Sequence, residues 1–226
     1  MIGQLVLAPG GRGRPEPGRL YGLNILRAET DPAGFWGERR LRRAGKGLRR
    51  GGVLRVLVPG DFCRWPALAA LGLRPVEAEA FVRAQSVLLT LELLERRDVP
   101  PDRATVALRG LRADRDMART AARLCRQVRR LVVDAPRGGE ELAAWLRQEF
   151  GVPVLPPGEG CHAALRFHPD CPRGEGADLE LYGLRPRLAG LTLSAPRLEE
   201  IDREDLPLLS ALWEGGKLGP DDIKIT

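Results

Sequence analysis

A chain of 226 residues, 43% hydrophobic and 29% charged, is long enough to bury one large core or two small ones, which excludes disorder throughout. No run approaches the roughly 20 consecutive apolar residues of a membrane helix, so a helical membrane span is excluded and no membrane partner is expected. The net charge of +6 admits anionic partners without singling them out: lysine occurs only at 46, 217 and 224, the rest of the 36 cations are arginine, and a GC-rich genome would produce that bias on any solvated face.

In chain order, residues 2–7 are apolar and follow no basic leader, so they read as a first β-strand and not as a signal peptide. An intracellular, cytoplasmic chain follows, with Cys63, Cys125, Cys161 and Cys171 as free thiols, Cys63 and Cys125 being small structural hydrophobes. Residues 9–18, rich in Gly and Pro, read as a loop. Two more short aliphatic runs, 23–26 and 53–58, read as strands. Between them, residues 35–50 repeat Leu41, Ala44 and Leu48 at helical spacing, with Gly45 and Gly47 weakening the last turn. A short helix is expected at 65–71. A long one is expected at 78–97, with Phe81, Val82, Leu88, Leu89, Leu91 and Leu94 on its apolar face and Pro100-Pro101 as its stop.

From residue 101 the pattern is regular: strands at 105–109, 130–134 and 152–155 alternate with helices at 114–128 and 139–150. Met117, Ala121, Leu124 and Val128 line one helix, and Leu142, Trp145, Leu146 and Phe150 the other. Over residues 101–156 this resembles a Rossmann-type βαβαβ unit, which implies parallel strands joined by crossovers. The expected fold is therefore α/β, a mainly parallel Rossmann-like sheet flanked by helices, followed by a less regular C-terminal segment. That segment holds a β-hairpin of 163–167 and 178–182 across a Pro- and Gly-rich turn, a strand at 190–194 and a helix at 206–213. Residues 1–100 form an N-terminal α/β lobe in this reading and 101–226 the Rossmann-like part.

Four places could carry chemistry. The joint after the first strand of the βαβ unit, 109–116, holds Gly110 where a dinucleotide-binding turn holds three glycines in G-x-G-x-x-G, and it adds Asp114 and Asp116 at the helix start, where they would repel phosphate. Asp134 stands at the end of the second strand, the position of a ribose-binding carboxylate. Gly110 and Asp134 are thus the candidate cofactor residues, with NAD or NADP the cofactor if there is one. Gly11, Arg12 and Gly13, with Arg14 and Arg19 nearby, could hold an anion on backbone amides and guanidinium groups, but no Lys-Ser/Thr pair follows to make a P-loop. Arg39, Arg40, Arg42, Arg43 and Lys46, with Trp36 close by, form a row suited to a phosphate backbone and equally to a solvated helix.

The last place gathers Cys161, His162, His168 and Cys171 within eleven residues. These are zinc-type ligands, but as a strand 162–168 would span roughly 20 Å and no paired C-x-x-C spacing is present, so no metal is expected. The G-x-S-x-G and H-E-x-x-H patterns are absent. The sequence therefore points to a Rossmann-like module that binds a small molecule or a protein partner without efficient redox catalysis. The alternatives are a nucleotide-dependent enzyme with a divergent phosphate turn and a basic nucleic-acid-binding adaptor.

Overall fold

The structure, a computed structural model, describes residues 1–31, 33–171 and 177–226. It divides into two compact units, Met1–Glu77 with Ser194–Lys224 and Ala78–Leu193 with Ile225–Thr226.

The first unit holds β1 (Ile2–Leu7), β2 (Arg12–Leu20), β3 (Leu23–Thr30), α1 (Gly37–Arg50), β4 (Arg55–Leu57), α2 (Trp65–Ala69) and β5 (Arg74–Pro75). Its sheet runs in the order β2-β3-β1-β4-β5, all parallel except β2, which is antiparallel to β3. The run 9–18, expected as a loop, is thus mostly strand from Arg12 onward. Proline is excluded from central strands because it cannot donate to the ladder, but β2 is an edge strand with a register shift between Arg12 and Pro15, where Pro15 and Pro17 are tolerated. Tyr21 and Gly22, both at positive φ, close the β2–β3 hairpin as a two-residue turn. On α1, Leu41, Ala44 and Leu48 are fully buried with Leu5, Ala28 and Val56. The glycines expected to weaken this helix are needed by its packing: a Cβ at Gly45 would stand 2.7 Å from Leu71 Cδ1, and one at Gly47 would overlap the Pro15 ring.

The second unit holds α3 (Glu79–Ala84), α4 (Ser86–Glu95), β6 (Thr105–Arg109), α5 (Arg115–Leu124), β7 (Arg130–Asp134), α6 (Gly139–Phe150), β8 (Val154–Leu155), β9 (Ala163–Arg166) and β10 (Ala177–Glu180). The single helix expected over 78–97 is broken at Gln85 into α3 and α4, and the break leaves the Ser86 hydroxyl 3.0 Å from that of Thr120 on α5. The sheet order is β10-β9-β6-β7-β8, with every pair parallel. Numbered within the unit this is 5-4-1-2-3, the strand order of a Rossmann-type sheet. The three strands expected side by side at 105–109, 130–134 and 152–155 are neighbours.

The hairpin expected from 163–167 and 178–182 is corrected. β9 and β10 are adjacent but parallel, and the antiparallel neighbour of β10 is the single bridge from Leu179 to Leu188. The parallel register sets Leu179 beside Leu165 and brings the Glu180 carboxylate within 3.0 Å of the Arg166 guanidinium, a charge match that apolar alternation does not register. Part of the proposed turn lies outside the described residues. Downstream come β11 (Leu193–Ser194), α7 (Leu206–Glu214) and β12 (Lys224–Ile225). The helix α7 belongs to the first unit, where the Ser210 hydroxyl donates to the Glu77 carbonyl at 2.9 Å and Glu214 pairs with Arg55 at 2.8 Å. No helix is long and apolar enough to cross a membrane among the described residues.

Candidate functional site

In an open parallel sheet, ligands bind beyond the carboxyl ends of the strands, where the strand order reverses. Here that point lies between β6 and β9. The helices α3 to α6 pack side by side as one layer, so the sheet face opposite them carries no helix of its own unit among the described residues. Side chains alternate along a strand, and Val133 faces the helices, 3.7 Å from where a Gly139 Cβ would stand. The opposite face therefore takes Val132, Ala107 and Ala164, which cluster together, and then the last residues of each strand.

Those last residues form a row in register, Asp134 on β7, Arg109 on β6, Arg166 on β9 and Glu180 on β10. Both arginines are buried, Arg109 to 8% exposure and Arg166 to 2%. Burying a guanidinium is costly unless it is paired. Arg166 donates to Glu180 at 3.0 Å and to the carbonyls of Pro169 at 3.0 Å and Cys171 at 2.7 Å. Arg109 is held less tightly, with Asp178 at 3.6 Å, Asp134 at 3.9 Å and the Cys161 sulfur at 3.8 Å. Among the described residues, its Nη1 and the Asp178 Oδ1 each find no hydrogen-bond partner. Burial pushes the Cys161 thiol up, against the opposing pull of Arg109, so at neutral pH it is protonated and a poor nucleophile.

The joint 109–116 is closed by the chain itself. The Gly110 N–H donates to the Asp134 carbonyl at 3.0 Å and the Ala113 N–H to the Arg137 carbonyl at 2.8 Å. Asp114 caps α5 by accepting the Met117 N–H at 2.8 Å. Gly110 serves packing, since a Cβ there would stand 2.5 Å from Met117 Cε. Over the helix start lies Arg83 of α3, 3.3 Å from Asp116 and 3.6 Å from Asp114. The same guanidinium donates to the carbonyls of Phe167 at 2.9 Å and Leu181 at 3.1 Å, binding α5 to the ends of β9 and β10. Arg83 was invisible in the sequence, where it is one cation on an amphipathic helix. Asp134 lines a cavity of about 660 Å3 with Gly138, Gly139 and Pro156.

The two basic candidates meet on the first unit. Gly11 and Arg12 line a depression of about 830 Å3, and Gly13, Arg39, Arg42, Arg43 and Lys46 line an adjoining one of about 880 Å3, with Arg14 and Arg43 common to both. Arg40 does not line them and pairs with Asp31 at 3.3 Å. Asp31 also accepts the Gly10 and Ala33 N–H groups, which hold its carboxyl below the usual range. His162 and His168 are engaged separately, each through Nδ1 accepting a backbone N–H, of Thr105 at 3.0 Å and Asp170 at 3.2 Å. No group of three or more His, Cys, Asp or Glu in metal-binding reach occurs among the described residues.

No known protein family and no curated protein matches the sequence. Among solved structures the chain is similar at 12% identity to L-tryptophan dehydrogenase from Nostoc punctiforme, with a TM-score of 0.33 over 74% of this chain and 55% of that one. It is also similar at 12% to the A chain of dipicolinate synthase from Bacillus subtilis, with a TM-score of 0.39 over 74% and 54%. A third likeness, also at 12%, is to a shikimate 5-dehydrogenase-like protein, with a TM-score of 0.25 over 73% and 65%. The match thus spans less than two thirds of the length of each of these proteins.

Proposed function

We propose that this chain is a binding module on a Rossmann-like scaffold, taking a small molecule or a protein partner at the carboxyl ends of β6, β7 and β9, without nicotinamide redox chemistry. One observation carries the reading. At the α5 N-terminus, where a pyrophosphate needs free amides and positive potential, the Gly110, Ala113 and Met117 amides are already engaged and two carboxylates are fixed in place by Arg83. A dinucleotide would have to displace Asp114 from its cap and bring phosphate against its charge.

A second reading rests on Asp134, which still lines a cavity beside two glycines and could accept from the hydroxyls of a ribose. Calorimetric titration with NAD, NADH, NADP and NADPH at millimolar ligand separates the two. The binding-module reading expects no saturable heat and no rise in melting temperature. Micromolar binding that is lost in Asp134→Ala would overturn it in favour of a nucleotide-dependent enzyme.

A further inference from the structure

The outer face of α1 belongs to the first unit and takes no part in the proposed binding site. Arg39, Arg43, Lys46 and Arg50 are spaced i, i+4, i+7 and i+11, which places them in one stripe about 16 Å long on the helix. All four line the cavity of about 880 Å3 between this helix and β2, and Arg14 of β2 lines it with them. Helix and strand meet there almost backbone to backbone, since a Cβ at Gly13 would stand 2.7 Å from the Arg40 carbonyl. The carboxylate in the lining, Glu38, is taken by Arg42 at 2.7 Å. Among the described residues no ion pair reaches Arg39, Arg43, Lys46 or Arg50. A genome-wide preference for arginine explains the residue type but not the alignment of these cations in one stripe along the helix.

At the N-terminal end of the stripe two aromatic rings stand in solvent, Phe35 at 91% exposure and Trp36 at 52%, with centroids 5.1 Å apart and edge to face. Arg39 lies over the Trp36 ring at 5.3 Å. Exposed rings cost hydration without contributing to a core, and both border the same cavity as the cations. Cations in a row hold a phosphate backbone, and exposed ring faces stack unpaired bases. We infer that this trough binds single-stranded nucleic acid, with Arg39, Arg43, Lys46, Arg50 and Arg14 along the backbone and Trp36 and Phe35 against the bases. Charge complementarity selects a polyanion, and the rings select one with unpaired bases over a duplex. A lipid surface fits less well, because the apolar face of α1, Leu41, Ala44 and Leu48, is buried in the core, and two rings at one end of the helix do not make the continuous apolar face of an interfacial helix.

Fluorescence anisotropy of labelled dT and rU 12-mers, titrated with the full chain between 50 and 200 mM salt, tests this. With about five phosphates neutralised, the slope of log affinity against log salt is expected near −3.5, a loss of about 130-fold across that range. The double variant Arg43→Ala, Lys46→Ala is expected to weaken binding at least tenfold and to make the slope shallower by about 1.4. Trp36→Ala is expected to weaken oligonucleotide binding at least fivefold with the slope unchanged, and to leave heparin binding as it was. All three residues are exposed, so the variants should melt with the parent chain, which a thermal scan checks. Absence of binding at 50 mM salt overturns the proposal. So does a blunt duplex, heparin or an anionic vesicle bound as tightly as the single strand, or indifference of the oligonucleotide to either variant.

Discussion

At the level of single residues, the sheet end is organised by charge pairs that the sequence does not announce. Arg109 and Arg166 stand next to each other in the row and are flanked by Asp134 and Glu180, so two like charges tolerate burial through the carboxylates on either side. Asp134 was legible as a strand-end carboxylate; its partner Arg109 was not, because a strand-terminal arginine reads as a solvated end. The thiols make a similar point. Cys125, expected beside Leu124 within a helix over 114–128, is instead the residue that ends α5 after Leu124; it is buried all the same, and burial pushes its thiol up to about 11. Cys63, expected to be buried too, is exposed, because it lies in the turn before α2 and not under it. Alkylation of the native chain at neutral pH should therefore modify Cys63 well before Cys125, with mass spectrometry locating the label. Equal labelling of the two under native conditions would contradict the burial of Cys125.

Elements show where hydrophobic period suffices and where it fails. The alternation over 105–155 was legible because β6 and β7 are short runs buried on both faces, α5 and α6 each bury one side, and their joints are short, although Trp145, expected on the buried side of α6, is exposed. The edge strand β2 was not, because its two prolines and its bulge carry the signal of a loop, and only its place at the margin of a sheet makes them tolerable. The break between α3 and α4 was hidden for the opposite reason, since the apolar face runs through it. Capping, by contrast, is legible and testable at α7. Asp205 accepts the Leu208 N–H at 3.1 Å, and burial, outweighing that bond, pushes its carboxyl up. A raised carboxyl pKa means that the folded state prefers the protonated form. The buried charge therefore costs stability at neutral pH, and the cost fades as pH falls through the folded value towards the ordinary 3.8. Asp205→Asn keeps an accepting cap without the charge. Its melting temperature relative to the parent is expected to be higher at pH 7 than at pH 4, whereas Asp205→Ala loses the cap, about 1 kcal/mol at pH 4, and less at pH 7, where removal of the buried charge offsets part of that loss. A difference between Asn and parent that grows on acidification would show that the charge is not penalised.

Over the whole chain, the first unit is built from both ends of the sequence, and no local pattern reveals that α7 completes a unit begun two hundred residues earlier. The pieces are held by specific contacts: Tyr21 Oη donates to Asp202 at 2.6 Å, burial and then this bond raising the tyrosine to about 12, and the Lys217 stem comes within 3.6 Å of where a Gly22 Cβ would stand. Within α7, Leu208, Leu209 and Leu212 are buried, and Leu212 at 1% exposure has no room to reach solvent. Cutting it to alanine leaves a cavity, and losses of about 2–5 kcal/mol are typical of such a change. Because α7 belongs to the unit of β1, β3 and α1, that loss should appear there first. Amide hydrogen exchange by mass spectrometry is the direct readout, since a loss of about 1.4 kcal/mol speeds opening-limited exchange tenfold. In Leu212→Ala, peptides covering β1, β3 and α1 are expected to exchange at least tenfold faster than in the parent, while those covering β6 and β7 keep their rates. Uniform acceleration across both sets would mean that the two units open as one, and acceleration confined to β6 and β7 would remove α7 from the first unit.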